Sequence, residues 1–190
     1  MKAYKDIPIF PLKSIILPGG QFPLRIFERR YLDMTRDCLK NNDGFIIALT
    51  KRDSDYISSV YDYASYVEIV DWSQLDGGLL GITVEGKQIV KLSNCILDEC
   101  NLLKGDAEEV EYGVDYLVPQ KYQILSKFYK KIYPEIKAYI FHIKPKYNDA
   151  NWLGFRLIEC LPIELNDKAD LISMQEPLDR LETVSYTHLT

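Results

Sequence analysis

Hydrolysis by a Ser/His/Asp or Cys/His set needs a histidine base beside its nucleophile. The chain has two histidines, His142 and His188. His142 lies next to an apolar helical stripe and reads as a packed or surface residue. Cys38, Cys95, Cys100 and Cys160 have no C-x-x-C spacing. Three of the four have apolar neighbours, and buried free thiols are the expectation. A metal centre needs three or four clustered ligands, and neither H-E-x-x-H nor paired C-x-x-C occurs. Phosphate-cradling loops of the form G-x-x-x-x-G-K-[ST] or G-x-G-x-x-G are also missing. Acid–base work needs two carboxylates in distinct environments within a cleft. Asp53/Asp55 and Glu108/Glu109 are neighbours in polar stretches, which reads as solvation. The residues point to no catalytic, cofactor or metal site.

Binding chemistry is better represented. Arg25, Glu28, Arg29 and Arg30 read first as ion pairs pinning a strand to a helix, with Arg25 held by a carboxylate. The second reading is an arginine that meets a peptide's carboxylate or backbone. Fourteen tyrosines in 190 residues is a high count. Tyr56, Tyr61, Tyr63 and Tyr66 fall in or beside the polar stretch 51–66. Tyrosine mixed with serine and aspartate is the composition of adaptable binding loops. These four tyrosines and Arg25 are the candidate peptide-binding residues. Trp72 and Trp152 read as core or interface anchors.

The elements that must position these residues follow from local pattern. Residues 7–17 form an apolar extended run, in which Pro8 and Pro11 imply an edge strand or irregular segment. Leu17-Pro18-Gly19-Gly20 is a type II turn, with Gly19 supplying positive φ. Phe22, Leu24 and Ile26 then share one strand face, and Pro23, Arg25 and Phe27 the other. Tyr31, Met34 and Cys38 make one face of a helix that starts at Glu28, with Leu39 beside them. Strands are expected at 45–50 and 64–72, then a hairpin at Asp76-Gly77-Gly78 and a return strand. Glu108, Glu109 and Glu111 read as a solvated strand edge. From Pro119 the period becomes helical. Pro134 should interrupt the first helix, and Ile136, Tyr139, Ile140 and Ile143 mark a second. Asp149 or Asn151 caps a third, and Asn166 and Glu176 cap two more. Strands segregated from helices mean an α+β fold. The expected organisation is a strand-rich subdomain over 1–115 and a helical one over 116–182. Residues 183–190 resemble the translation of a sequencing-library adaptor and are set apart from fold reasoning.

Three separated blocks carry a family resemblance. I-P-I-F-P-L, L-P-G-G and P-L-R-I-F-E-x-R-Y-x-x-M open the chain, and residues 67–86 and 149–163 continue it. Together they resemble the Lon protease N-terminal, substrate-binding domain family, in particular its stand-alone bacterial members. The human protein cereblon contains a related domain. The resemblance implies a PUA-like pseudo β-barrel with one helix, followed by a small C-terminal helical bundle. It also implies binding of unfolded or extended polypeptide, or of a protein partner. The ATPase and protease modules of full-length Lon lie beyond this domain, and the missing phosphate-binding lysine loop contradicts ATP-dependent proteolysis here. RNA binding, known for PUA-like folds, is the alternative, and a hydrolase with an unrecognised site comes after it. A net charge of −5 counts against nucleic acid. No apolar run reaches the ~18–20 residues of a membrane span, and no signal-peptide core follows Met1, so a cytoplasmic protein is expected.

Overall fold

The computed structural model describes residues 1–51, 59–113, 116–137 and 144–188. Six strands, β1 (Ala3–Leu12), β2 (Gln21–Ile26), β3 (Phe45–Leu49), β4 (Tyr63–Gln74), β5 (Leu80–Leu97) and β6 (Leu103–Glu109), form one sheet. Its order is β2-β5-β4-β3-β1-β6, and β6 pairs back onto β5. All strands but β2 thus close a ring, with β2 attached on the outside. Helix α1 (Arg29–Asn41) packs against it, and α2 (Gln123–Ile136), α3 (Ala150–Cys160), α4 (Leu165–Ser173) and α5 (Pro177–His188) follow. The α+β class and the barrel-then-helices order agree with the sequence reading.

Of the two expectations for this run, the edge strand is corrected and the irregular one holds, since the register of β1 with β6 shifts between Tyr4 and Ile7 and residues 13–17 lie outside any strand. β1 runs parallel to β3 and antiparallel to β6. Its prolines are tolerated because the strand changes partner at Ile9. Pro8 lies in the stretch paired with β6, and Pro11 in the stretch paired with β3. At each proline one side of the strand has no partner, so a missing N–H can face that side. The edge reading of the acid cluster is corrected for the same topological reason. Glu108 and Glu109 lie on β6, which has neighbours on both sides. There Glu109 accepts hydrogen bonds from the Lys2 N–H and the Tyr4 hydroxyl.

β5 is long enough to serve two neighbours on one side, β2 along 80–85 and β6 along 90–97. The Pro18 turn fills the gap between them. Gly19 has φ 81°, and Gly20 N–H donates to Leu17 O at 3.0 Å. Gly19 N–H donates to Gly86 O, and Gly86 N–H returns a bond to Gly20 O, both at 2.9 Å. A Cβ on Gly86 would lie 2.4 Å from Leu17 O, so the close approach needs glycine.

Each packed face follows the sequence pattern. Tyr31, Met34 and Cys38 of α1 cover Phe10, Phe45, Leu24 and Ile82 inside the barrel, while Leu39 is exposed. The helices share a second core with barrel residues Ile15, Leu17, Leu49 and Ile89. Asp149 caps α3 by accepting from Trp152 N–H at 3.0 Å. Pro134 does not stop α2, because it sits in the last turn, which continues to Ile136. The expected second helix over 136–143, with His142, falls mostly outside the described residues. Glu164, and not Asn166, occupies the cap of α4. Helix α5 runs on through Thr183 and Val184, and Val184 is buried. Cys38 is buried, Cys95 and Cys160 are half-buried, and Cys100 is exposed.

Two buried arginines hold the helical layer. Arg180 donates to Leu171 O, Met174 O and Asn151 Oδ1, with its guanidinium 4.4 Å from the Phe155 ring centre. Arg156 pairs with Glu159 at 3.0 Å, and both side chains are 0% exposed. Arg156 also donates to Leu17 O and Pro18 O, at 3.0 and 3.1 Å. The pair therefore joins α3 to the turn that plugs the barrel.

Candidate functional site

The hairpin formed by β4 and β5 leaves the barrel. Most β4 residues from Glu68 onward are exposed, after a buried run from Ala64 to Val67. Residues directly opposite in an antiparallel sheet share a face. Trp72, Ile82 and Leu24 lie in one row across β4, β5 and β2, and so share the apolar inner face. At strand spacings of ~4.8 Å, the Trp72 and Leu24 backbones are about 10 Å apart. Ile82 and Leu24 are buried, but Trp72 is 61% exposed because the barrel ends before it. The core reading of Trp72 is thereby corrected, while Trp152 is buried as expected. Phe27, directly after β2, is 70% exposed, and Val70 and Leu79 are also exposed. Phe27 and Trp72 are thus exposed on opposite faces of the sheet, Phe27 following Pro23 and Arg25 on the outward face at the end of β2 and Trp72 on the inner face across β5.

The sequence candidates do not converge. Arg25 lies on β2, exposed, and makes no ion pair among the described residues. The expected carboxylate partner is absent there because Gly81 stands opposite it on β5. Glu28 pairs instead with Arg30 at 2.6 Å, and Arg29 with Asp33 at 2.9 Å. Tyr66 is buried in the barrel wall. Its ring stacks on Tyr4 at 4.8 Å, and its hydroxyl accepts from Gly44 N–H at 3.0 Å. Tyr61 and Tyr63 pack toward the helical layer, and Tyr61 hydrogen-bonds Asn166 on α4. Tyr56 lies outside the described residues. Phe27 was legible as the outward partner of Pro23 and Arg25. Trp72 was not, since strand periodicity does not tell where a barrel ends.

A cleft of about 550 Å³ lies between α1 and the start of β1, with Tyr4, Met34, Cys38, Tyr66, Leu102 and Lys104 among its lining. Most of its charges are already paired. Lys104 meets Asp6 and Asp98, and Asp33 meets Arg29 and Arg36. Burial pushes the Cys38 thiol up to about 11, which leaves it protonated and unreactive at neutral pH. Among the described residues no group of three or more His, Cys, Asp or Glu could hold a metal ion.

The family of ATP-dependent protease La (LON) substrate-binding domains matches residues 6–187. This chain belongs to that family. A Lon N-terminal domain protein from Xanthomonas campestris superposes with a TM-score of 0.79 at 25% identity, covering 98% of this chain and 99% of that one. The N-terminal domain of a Mycobacterium avium complex Lon protease shares the fold, with a TM-score of 0.64 at 16% identity, 98% coverage of this chain and 100% of that one. Lon protease 3 of Sorangium cellulosum is 24% identical over 93% of this chain. This chain spans 22% of that protein's length. The matched region is the substrate-binding part of the family, not the catalytic one. Among the described residues no helix is long and apolar enough to cross a membrane.

Proposed function

We propose that the chain is a non-enzymatic module that holds extended or unfolded polypeptide segments against the open end of its barrel. The observation that carries this reading is β2, which among the described residues pairs on one side only, with Phe27 exposed directly after it and Trp72 exposed across β5. An unfolded chain offers apolar side chains and unpaired backbone together, and this surface offers the complement of both. Membership of a substrate-binding family supports the same direction. Arg25 is the sequence candidate that belongs to this surface. Tyr61 and Tyr63 are half-buried against the helical layer, and Tyr66 is buried in the barrel wall.

The test is binding of a reduced, carboxymethylated protein, kept permanently unfolded, against the same protein folded. Micromolar binding of the unfolded form alone is the expected result. Equal binding of both, or of neither, removes the proposal. Release of new peptides from the bound chain by the repurified module would overturn the non-enzymatic part.

A further inference from the structure

The phase of the β2–β5 ladder determines which backbone groups face the free edge. Gly86 N–H donates to Gly20 O, so Gly20 and Gly86 form a hydrogen-bonded pair. Such pairs alternate along an antiparallel ladder. Phe22, Leu24 and Ile26 are then the residues that exchange bonds with Val84, Ile82 and Leu80. Pro23, opposite Thr83, falls in the non-bonded set, where its missing N–H costs the ladder nothing. Gln21, Pro23 and Arg25 therefore turn their backbone groups to the edge that has no strand. Gln21 is buried, while Pro23 and Arg25 are exposed. The accessible edge offers the Pro23 carbonyl and both the N–H and the carbonyl of Arg25.

The side chains along this edge have a definite chemistry. Pro23, Arg25 and Phe27 alternate on the outward face, apolar, cationic, aromatic. Across β5 and β4, Arg25 is in register with Gly81 and Ser73, neither of which has a charge. Leu75 occupies the space over Gly81, where an added Cβ would lie 3.0–3.1 Å from its side-chain carbons. No acidic side chain reaches Arg25 from within the described fold.

Resting on the polypeptide-binding reading, we infer that β2 takes up an extended peptide as an added strand and selects for an acidic residue opposite Arg25, with apolar residues two places to either side. Arg25 then forms both the two-bond backbone pair and the side-chain pair, and the flanking apolar residues cover Pro23 and Phe27.

The experiment compares three fluorescent peptides that differ at one central position, glutamate, glutamine or lysine, each with leucine and phenylalanine two places away. The glutamate peptide should bind about fivefold more tightly than the lysine peptide at low salt, in the range of one exposed cross-strand charge pair. Arg25→Glu, checked for unchanged melting, should reverse that order. N-methylation of the central peptide nitrogen should remove binding. Equal affinities for glutamate and lysine, or an unchanged order in Arg25→Glu, would overturn the inference. So would binding of the unfolded protein without binding of any of the three peptides, a result that leaves the broader reading standing. In that case Pro23 and Arg25 serve only to block edge-to-edge pairing. If the unfolded protein does not bind either, the broader reading fails as well.

Discussion

Glu159 on α3 accepts a 2.6 Å hydrogen bond from the backbone N–H of Leu17, 142 positions earlier in the chain. The same carboxylate oxygen receives Arg156 Nη2, which also donates to Leu17 O. One buried ion pair thus binds both backbone groups of the residue that enters the Pro18 turn.

Removal of the carboxylate alone leaves a buried guanidinium without its counter-charge. Glu159→Ala should destabilise the protein by about 3–5 kcal/mol, the range for breaking a buried pair from one side. Glu159→Gln keeps an acceptor for Leu17 N–H and should cost less. Urea midpoints of the two variants against the parent check the order.

Burial pushes the Glu159 carboxyl up to about 7 from an ordinary 4.5, against the opposing pull of Arg156, the Leu17 N–H and Lys168. Between those values the folded state holds the proton more tightly than the unfolded state does. The contribution of this group to stability is therefore fully present below about pH 4.5, declines as pH rises through about 7, and is flat above. The difference in unfolding free energy between parent and Glu159→Gln, followed from pH 4 to 9, should carry this slope. A flat difference would show that the carboxyl titrates normally.

Gly86→Ala should lower stability by about 1–3 kcal/mol, because its Cβ would lie 2.4 Å from Leu17 O, a backbone atom that cannot swing away. Gly77→Ala is the contrast. It has nothing within 4 Å, but its φ of 75° still strains an alanine. Thermal melts should rank Gly86→Ala as the more damaging.

Tyr66→Phe removes the acceptor for Gly44 N–H. A buried donor left unpaired costs about 1–3 kcal/mol. The loss should appear in denaturant unfolding while affinity for unfolded polypeptide stays unchanged. A fall in affinity without a fall in stability would return Tyr66 to the binding surface.

Phe27→Ala and Trp72→Ala remove exposed side chains and should leave stability within about 0.5 kcal/mol of the parent. Each should weaken binding of a permanently unfolded protein by about tenfold or more if it acts as an anchor. Anisotropy titration beside a melting curve separates the two effects.

Local chemistry was enough for the elements whose geometry local chemistry dictates. The positive φ of Gly19, the cap at Asp149, the apolar face Tyr31–Met34–Cys38 and the separation of strands from helices could all be read from residue order. Each depends on contacts within a few positions or on periodicity. Three blocks in order, from I-P-I-F-P-L to the stretch around Trp152, also sufficed for the family. The tertiary structure decided what depends on partners far along the chain. Pro8 and Pro11 are compatible with an internal strand only because β1 changes neighbour at Ile9. Trp72 is exposed because its hairpin outruns the barrel, and Arg25 has no ion-pair partner among the described residues because glycine stands opposite it. The Arg156–Glu159 pair looks like any i, i+3 pair in sequence. Folding alone brings it to the Leu17 backbone, since burial and cross-strand register arise only when distant segments close on one another.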